Sequence, residues 1–532
     1  MAGRTAIVSA ANKALIVPHT PGMARLFPEG KQLRDMLVVP HDMHHFTLLK
    51  QLKFKVPNPV LTYYDWALSP DKPFEVQRIT VDHMTSHRRS YNLNGMGTGK
   101  TRTALWAWEA LHKEGACHKM LVVCKLSTMN KVWVSEALKV MPYRKCVVLH
   151  GSKKKRRELL ADKSADIYVI NHDGVKVILK ELYARPDIDV LCIDELASAY
   201  RNASERTKMM AKYAATKTWV WGMTGSPQPH GPMDVFQQCK VVTPNTVPYF
   251  MSHARDELMI RSLHNQHVWL PKSGATAKAF SWMQPAVRFN LSDVVELPEA
   301  VNQDIEVPME PLAQKIYHHV INHYVAKMDN GEVINAPNAA AAMSKMLQIA
   351  GGYVYSSSSG RVLEVPSETR KRAMMDVIEE SEGKVLVFAA FRHIVEGISK
   401  CFNHDPASND YCLSAIVHGG VLLKKRDDIF NAFQDPNNPL RVIVAHPGCM
   451  AHGLTLTEAT TVIWYGPVTS LETYEQANAR IRRVGQTRKQ LYVHIYGSPV
   501  ERKVFKMLQK RATAQDVLLG MFEKATAEGG AS

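Results

Sequence analysis

Short apolar runs of three to five residues alternate with helical patterns in two separate blocks of the chain. The first block contains the runs Met120–Cys124, Cys146–Leu149, Ile167–Ile170, Val190–Ile193 and Trp219–Gly222. The second block contains the runs Val385–Ala389, Ala415–Val417, Val442–Ala445, Val462–Tyr465 and Leu491–Ile495. Continuous apolar runs separated by helices are typical of parallel strands covered on both faces. We therefore predict two doubly wound α/β domains.

The stretch between the two blocks has a different sequence pattern. It carries helical patterns such as Ala339–Ile349 and is interrupted by Gly351-Gly352 and by Ser356–Gly360. This mixture predicts helical insertions together with the linker between the two domains. The predicted division of the chain is a small N-terminal element over 1–60, a first α/β domain over 61–230, insertions and linker over 231–380, a second α/β domain over 381–512, and a C-terminal tail over 513–532.

Composition places the chain among ordinary globular proteins. Of its 532 residues, 45% are apolar and 22% are charged. No stretch reaches the ~18–20 consecutive apolar residues of a membrane span, so we expect no membrane partner. The eight cysteines form no closely spaced pair of the kind that structural zinc sites use. Reduced cysteines are typical of the cytoplasm, which is the expected location.

The net charge of +16 changes this picture because two short windows hold it. Residues 144–157 carry seven basic residues and no acidic one. Residues 480–511 carry ten basic residues and a single acidic residue, Glu501. Clustered positive charge is typical of a protein that binds a polyanion, and we expect that partner to be a nucleic acid.

The sharpest motif is a glycine-rich turn over residues 95–101, which reads Gly95-Met96-Gly97-Thr98-Gly99-Lys100-Thr101. It follows the strand pattern Tyr91–Leu93 and precedes the helical pattern Arg102–Leu111. That order points backbone N–H groups and a helix N-terminus at a polyphosphate. We expect Lys100 to neutralise the β- and γ-phosphates of ATP and the Thr101 hydroxyl to bind Mg²⁺. Asn94 stands where the strict form of the motif has glycine, so the match is to a looser form.

A second motif is the apolar run Val190–Ile193, which ends in Asp194-Glu195. This places two carboxylates at the carboxyl edge of the sheet, where ligands bind in such folds. We expect Asp194 to hold Mg²⁺ through water and Glu195 to orient or deprotonate the attacking water. Taken alone, the pair is equally compatible with a solvated strand end. The glycine-rich turn in the same block favours the catalytic interpretation.

A third motif is the arginine-rich stretch that runs from Gln476 to Gln486. If it is helical, Gln476, Arg480 and Arg483 lie four and three residues apart on one face. Two arginines contributed by the second domain are suited to act as arginine fingers on the γ-phosphate. The alternative is an ordinary solvated basic helix.

In this order, the motifs resemble those of superfamily-two helicases, and within them the Swi/Snf-type ATPases, over about residues 74–512. The resemblance implies an adenine-reading Gln77, motif I at Gly97–Thr101, motif Ia at Leu121–Ser127, motif II at Asp194–Ala197, motif III at Thr224–Pro227, a backbone-contacting segment at Val417–Gly420, motif V at His446–Leu456 and motif VI at Gln476–Gln486. The wording of motif V is similar to that of compact phage-encoded and annealing-helicase-like members. That similarity implies a bacterial nucleoid or a phage-infected host cell as the setting.

The resemblance implies two RecA-like, doubly wound parallel-sheet domains with helical insertions between them, and ATP and Mg²⁺ as cofactors. The turn over residues 95–101 and Gln77 would bind ATP between the domains, with Lys100, Asp194, Glu195, Gln476, Arg480 and Arg483 in catalytic roles. Thr224, Gly225 and Ser226 would couple the ATP site to DNA. The implied DNA contacts are Lys125, Ser127, His418, Gly419, Gly420, Gly453 and Thr455.

The resemblance therefore implies an ATP-driven motor that moves on double-stranded or branched DNA. Two alternatives remain open: a helicase that separates strands, and a factor that uses ATP to displace a DNA-bound protein partner. Two residues depart from the family pattern. Ala197 replaces a histidine that is common in motif II, and Lys125 stands where motif Ia usually has proline.

Overall fold

A computed structural model describes residues 5–66, 72–263, 267–295, 297–323, 325–327, 333–336, 338–408, 412–450, 455–483, 485–512 and 521. The chain divides into two compact units, one ending at Val294 and the other beginning at Val295. Within the described part, no helix has both the length and the apolar character that crossing a bilayer requires. The finer domain boundaries predicted from the sequence stay predictions.

The first unit begins with a small module around an antiparallel sheet of order β1-β2-β4-β3. Its strands are β1 Ile7–Ser9, β2 Ala14–Pro18, β3 Lys31–Leu33 and β4 Met36–Pro40, and its helices are α1 Pro21–Leu26, α2 Met43–Gln51 and α3 Pro59–Tyr63. Leu15, Val39 and Leu49 belong to its core. Because the strands are only three to five residues long, a period of two residues hardly repeats, and the sequence pattern does not reveal them.

The centre of the first unit is a seven-stranded sheet of order β13-β5-β10-β9-β6-β8-β7, in which every pairing is parallel. Its strands are β5 Arg89–Asn92, β6 Lys119–Cys124, β7 Cys146–Val148, β8 Ile167–Asn171, β9 Ile188–Ile193, β10 Trp219–Met223 and β13 Ala286–Val287, while β11 Met259–Arg261 and β12 Trp269–Pro271 form a separate hairpin. Leu121 and Val123 of β6 pack into one apolar cluster and Met120 and Val122 into another. The sheet is therefore covered on both faces.

Helices flank this sheet. They are α4 Glu75–Ser86, α5 Lys100–Lys113, α6 Ser135–Val140, α7 Lys153–Ala161, α8 His172–Val177, α9 Leu179–Tyr183, α10 Leu196–Tyr200, α11 Glu205–Ala214, α12 Asp234–Val242, α13 Met251–Leu258 and α14 Ala275–Trp282. Helix α5 is unusually apolar, and its Trp106 and Trp108 are fully buried. It is therefore a core element that fixes the position of the glycine-rich turn before it.

The second unit contains a six-stranded parallel sheet of order β14-β23-β22-β19-β21-β20. Its strands are β14 Ala300–Glu306, β19 Lys384–Phe388, β20 Ser414–Val417, β21 Val442–Ala445, β22 Ala459–Trp464 and β23 Gln490–Tyr496, and two hairpins pair β15 Val325–Lys327 with β16 Val333–Asn335 and β17 Tyr353–Tyr355 with β18 Val362–Glu364. The helices are α15 Pro311–His323, α16 Ala339–Ala350, α17 Glu368–Glu380, α18 Arg392–Ile398, α19 Leu423–Gln434, α20 Leu471–Asn478 and a final helix over 499–512.

The predicted fold class of two doubly wound parallel sheets is confirmed. Each of the ten apolar runs overlaps a strand of one of the two sheets. The pattern missed β13 and β14, which both fall inside the predicted stretch of insertions and linker. Strand β14 is largely exposed and carries Asn302, Gln303 and Asp304. Backbone pairing with β23 holds β14 in the sheet, so the strand needs no buried apolar run. The sequence pattern therefore does not reveal β14.

Candidate active site

The glycine-rich turn connects β5 to α5, as the sequence predicts. Strand β5 ends at Asn92, and α5 begins at Lys100 with Gly99 as its N-cap. Gly97 and Gly99 both have a φ of +83°. Residues with a Cβ atom rarely adopt this left-handed backbone conformation, so the tight turn requires glycine at both positions. The turn thus leads directly into a helix N-terminus, a favourable place for an anion.

Lys100 lies against its own loop. Its ammonium group donates hydrogen bonds of 2.9 Å to the carbonyl oxygens of Asn94 and Gly95. The hydroxyl of Thr98 closes the loop by donating to the same Gly95 oxygen at 2.9 Å. Phosphate oxygens are stronger acceptors than carbonyls for an ammonium group. The Lys100 ammonium group is therefore positioned to exchange these two carbonyl acceptors for the oxygens of a polyphosphate.

Asn94 explains how the loop tolerates a residue other than glycine at its start. The side chain is buried, accepts from the N–H of Phe289 at 2.9 Å and donates to the hydroxyl of Thr80 at 2.8 Å. The N–H of Gly95 donates to the carbonyl of Phe289 at 2.8 Å. A glycine at position 94 could not make the two side-chain bonds. Asn94 therefore braces the loop against the segment that follows β13.

Gln77 lies beside the loop, with both ends of its side-chain amide bound to backbone. Its oxygen accepts from the N–H of Phe74 at 3.0 Å, and its nitrogen donates to the carbonyl of Thr98 at 3.0 Å. A Cβ atom added at Gly99 would approach the Gln77 nitrogen to 2.3 Å, so the contact also requires glycine there. The structure brings Gln77 to the predicted ATP site, and the adenine contact stays a prediction.

Asp194 and Glu195 follow β9 at the carboxyl edge of the same sheet. The Asp194 carboxylate accepts hydrogen bonds from the indole N–H of Trp133 at 3.1 Å and from the N–H of Glu195 at 3.0 Å. Burial, reinforced by the charge of Glu195, raises the pKa of Asp194 to about 6, while the Trp133 bond and the charge of Lys100 oppose that rise.

A bound cation would stabilise the ionised form of the Asp194 carboxyl group. A desolvated carboxylate beside a second carboxylate favours a nearby cation, and an oxygen donor set of Asp194 and the Thr101 hydroxyl suits a hard ion such as Mg²⁺. The residues present therefore fit the predicted metal. Glu195 has a φ of +52°, which turns the chain sharply between β9 and α10.

Thr224, Gly225 and Ser226 follow β10 and lie next to the glycine-rich turn. The N–H of Thr224 donates to the carbonyl of Asn92 at 3.2 Å, and the N–H of Ser226 donates to the Thr224 hydroxyl at 3.2 Å. A Cβ atom added at Gly225 would lie 3.9 Å from the Lys100 ammonium nitrogen and 3.7 Å from Met96. The predicted coupling motif therefore touches the predicted phosphate site.

Lys125 and Ser127 follow β6 at the same edge of the sheet. A 3₁₀ turn over Leu126–Thr128 begins after Lys125, and both predicted DNA-contacting side chains are half-buried. Leu126 between them is 56% exposed. A single π-helical turn over Met129–Val134 comes next and carries Trp133.

The basic window over 144–157 is not one uniform surface. Arg144 pairs with Glu109 at 2.8 Å, and Lys145 pairs with Asp162 at 2.7 Å. Arg156 is buried and donates to the carbonyls of Leu149 at 2.6 Å and Gly151 at 2.9 Å. The interpretation of the whole window as a DNA footprint is therefore wrong for Arg144, which is held by the buried Glu109, and for Arg156, which is itself buried. Lys145 is exposed, and its surface ion pair leaves the prediction open for that residue.

The largest exposed cluster of that window is the start of α7, where Lys153, Lys154 and Lys155 lie at the surface. We expect replacement of all three by glutamine to weaken DNA binding about tenfold at low salt and to make the log–log salt slope shallower by about two to three. Fluorescence anisotropy over a salt series measures both quantities. Glutamine at the exposed Lys176, Lys208 and Lys212 is the control with equal charge loss. An unchanged slope would make α7 a solvated helix face.

In the second unit, His418, Gly419 and Gly420 follow β20. The His418 ring is buried, accepts from the N–H of Gly420 at 3.1 Å and lies 3.3 Å from Glu396. A Cβ atom added at Gly419 would meet nothing within 4 Å. His418 thus holds an open glycine turn whose backbone could approach a phosphate chain. The predicted contact at Gly453 lies outside the described residues.

The predicted face that joins Gln476, Arg480 and Arg483 does not exist as a continuous helix. Helix α20 ends at Asn478, and residues 479–483 form turns. The buried Gln486 side chain donates to the carbonyls of Thr457, Ala459 and Ile481, at 3.0, 3.1 and 3.2 Å. These bonds tie the stretch after α20 across the end of the sheet, so the helix cannot continue.

The two arginines after α20 differ in their surroundings. Arg480 is buried, and its guanidinium donates to the carbonyl of Gln476 at 2.8 Å. Arg483 donates to the carbonyl of Ala479 at 3.1 Å and to the hydroxyl of Thr455 at 3.3 Å. Burial lowers the pKa of Arg483 to about 10, so the group remains a cation at neutral pH. Arg483 thus links two predicted motifs, one for ATP and one for DNA.

Sequence reasoning missed three residues of this site: Trp133, Asn94 and Phe289. Trp133 is 61 positions from Asp194 along the chain, and Asn94 is 195 positions from Phe289. A buried tryptophan in a helical pattern is read from sequence as an ordinary core residue. Its partner becomes visible only when the strands are assembled.

Two family models match the chain. The SNF2-related domain matches residues 93–374, and the helicase conserved C-terminal domain matches residues 369–485. The first match alone spans more than half of the chain. These families are expected to use ATP with a divalent metal.

Individual relatives are distant. A protein named p41 from Acyrthosiphon pisum secondary endosymbiont phage 1 is 25% identical over 84% of this chain and 98% of its own length. An uncharacterized ATP-dependent helicase of Mycoplasma pneumoniae is 22% identical over 81% of this chain and 41% of its own length. Among solved structures, the Sulfolobus solfataricus SWI2/SNF2 ATPase core in complex with dsDNA is similar at 18% identity and a TM-score of 0.40, covering 86% of this chain and 95% of that one. From the matched family models, the chain belongs to the SNF2-related family and is an ATPase of the Swi/Snf type within helicase superfamily two.

Proposed function

We propose that the protein is a DNA-stimulated ATPase that translocates along double-stranded DNA. One observation carries the proposal: a single sheet edge gathers the Lys100 turn, the half-buried Asp194 and Gly225, next to the stretch that contains Lys125. A phosphate site, a metal-binding carboxylate and a predicted DNA contact therefore share one rigid framework. Membership of the SNF2-related family supports the same conclusion.

The nucleotide chemistry follows from the residues of the first unit. Lys100 and the N–H groups of the turn bind the β- and γ-phosphates, while Thr101 and Asp194 would hold Mg²⁺, which supplies charge neutralisation of the phosphates. Glu195 is the residue placed to orient the attacking water and accept its proton. Gln77 keeps the turn in shape from the adenine side.

In this proposal, the second unit supplies positive charge that stabilises the transition state of phosphoryl transfer. Arg480 and Arg483 are proposed to stabilise the charge on the transferred phosphoryl group, and Gln476 to orient the nucleotide. The Arg483 guanidinium also donates to the Thr455 hydroxyl. A shift of Thr455 on DNA binding would therefore move Arg483. The second sheet thereby links hydrolysis of the nucleotide to the strength of DNA binding.

The proposed DNA contacts are all suited to the phosphate backbone and not to the base edges. Lys125 offers charge, Ser127 and Thr455 offer hydroxyls, and the turn over Gly419 and Gly420 offers backbone N–H groups. Such contacts carry no sequence information, so binding is expected to be independent of sequence and sensitive to salt.

The decisive experiment measures ATP turnover with single-stranded, double-stranded and forked DNA and with RNA. We expect stimulation by double-stranded DNA, displacement of the third strand from a triplex, and no unwinding of a forked duplex. Robust unwinding of the fork would replace the proposal with a strand-separating helicase, the activity that the name of the Mycoplasma relative indicates. A protein partner recovered after nuclease treatment would instead favour a factor that displaces DNA-bound protein.

A further inference from the structure

One short stretch of the first unit holds Asp194 from two sides. The carbonyl of Val123, at the end of β6, accepts a hydrogen bond of 2.9 Å from the backbone N–H of Asp194. The indole N–H of Trp133 donates to a carboxylate oxygen of the same residue at 3.1 Å. Lys125 and Ser127 lie between Val123 and Trp133 in the chain. The predicted DNA contacts are therefore flanked by two hydrogen bonds to one residue, Asp194: one to its backbone N–H and one to its carboxylate.

The backbone between these two bonds is unusual. Residues Met129–Val134 form a π-helical turn, in which the N–H of Ser135 donates to the carbonyl of Asn130, five residues earlier. Such turns are rare and are frequently found at functional sites. Trp133 is nevertheless 1% exposed and packed in the core. The turn thus holds a large side chain rigidly at the carboxylate.

The same stretch also reaches the glycine-rich turn by a second route. Glu136, in the first turn of α6, forms an ion pair with Arg102. Arg102 lies on α5 two residues after Lys100. Both side chains are about a quarter exposed or less, so water screens the pair only in part. The stretch that carries Lys125 and Ser127 therefore contacts both Asp194 and the helix that begins at Lys100.

We propose that the stretch from Val123 to Glu136 couples DNA binding to ATP hydrolysis, with Trp133 as the positioning residue that orients the Asp194 carboxylate when DNA engages Lys125 and Ser127. This inference rests on the proposed function, because it assigns a residue to the step by which DNA stimulates turnover. Trp133 touches neither nucleotide nor water in this role. It acts through Asp194.

The test is Trp133→Phe, which keeps an aromatic ring and removes the indole N–H. A hydrogen bond to a charged acceptor is worth enough to change a rate about tenfold or more. We expect DNA-stimulated turnover to fall about tenfold and by a larger factor than DNA-free turnover, while the KM for ATP and the Kd for DNA change less than about threefold. A purely structural role would move these quantities together with the thermal unfolding midpoint.

Trp219→Phe is the matched control. Trp219 is also buried, and its indole donates to the carbonyl of Ala116 at 3.3 Å, but it lies at the amino end of β10, away from the site. We expect full stimulation in this variant. Full stimulation of Trp133→Phe, or equal loss in both variants, would overturn the inference while leaving the proposed function intact. A wild-type protein that no nucleic acid stimulates would overturn both.

If Trp133→Phe does not fold, Glu136→Gln decides the question, because Glu136 is half-buried outside the core and the substitution keeps its size. Loss of its ion pair with Arg102 is expected to lower the stimulation about threefold with an unchanged KM for ATP. Glu257→Gln, which breaks an exposed ion pair of 3.0 Å with Lys278, is its control and should be silent. Equal stimulation of Glu136→Gln and the wild type would overturn the inference.

Discussion

Replacement of Lys100 by alanine is expected to abolish ATP hydrolysis, with a loss of at least about 10³-fold in kcat. The ammonium group lies within 2.9 Å of two carbonyls of the glycine-rich turn, at the place where the phosphates are proposed to bind. Without it, the negative charge that develops on the phosphoryl group loses the ammonium group that is proposed to contact it directly. Release of inorganic phosphate, with and without DNA, measures the effect.

Lys113→Ala is the control for this prediction, because Lys113 is the last residue of the same helix and carries the same charge. Its partner Glu109 keeps an ion pair with Arg144, so the control should keep wild-type turnover. DNA binding should survive in both variants, since the proposed DNA contacts lie on other loops. Retained DNA-stimulated turnover in Lys100→Ala would remove the assignment of the turn as the phosphate site.

Replacement of Arg483 by alanine is expected to lower kcat about 10³-fold or more and to leave ATP binding detectable. An arginine finger stabilises charge that exists only in the transition state, so its loss affects kcat and not ground-state binding. Burial lowers the pKa of Arg483 only to about 10, so the wild-type residue carries its charge at neutral pH. Turnover and binding of a fluorescent ATP analogue separate the two effects.

Arg482→Ala is the matched control, because Arg482 is the adjacent residue and is exposed. We expect it to keep kcat within about threefold, as surface charges contribute little. Arg483→Lys should recover only part of the activity, since lysine keeps the charge but loses the planar fork. An equal loss in Arg482→Ala and Arg483→Ala would reduce the role of Arg483 to general positive charge.

Much of the site could be predicted because its signals are local. The turn over 95–101 and the pair Asp194-Glu195 are contiguous stretches whose residue types and spacing suit one chemistry. The apolar runs likewise predicted the strands, since burial on both faces leaves a continuous apolar run in the sequence. Arg156 shows the limit of this reasoning: its charge indicated DNA, but its burial and its backbone acceptors assign it to the fold.

By itself, the sequence determined the two parallel sheets, the glycine-rich turn between β5 and α5, and the carboxylates at the end of β9. Only the tertiary structure decided that Asn94 braces the turn against Phe289, that α20 ends at Asn478, and that the indole of Trp133 binds Asp194. The physical reason is the range of the interactions. Periodicity and turn chemistry act over a few neighbouring residues, whereas these contacts join segments that only the assembled sheets bring together.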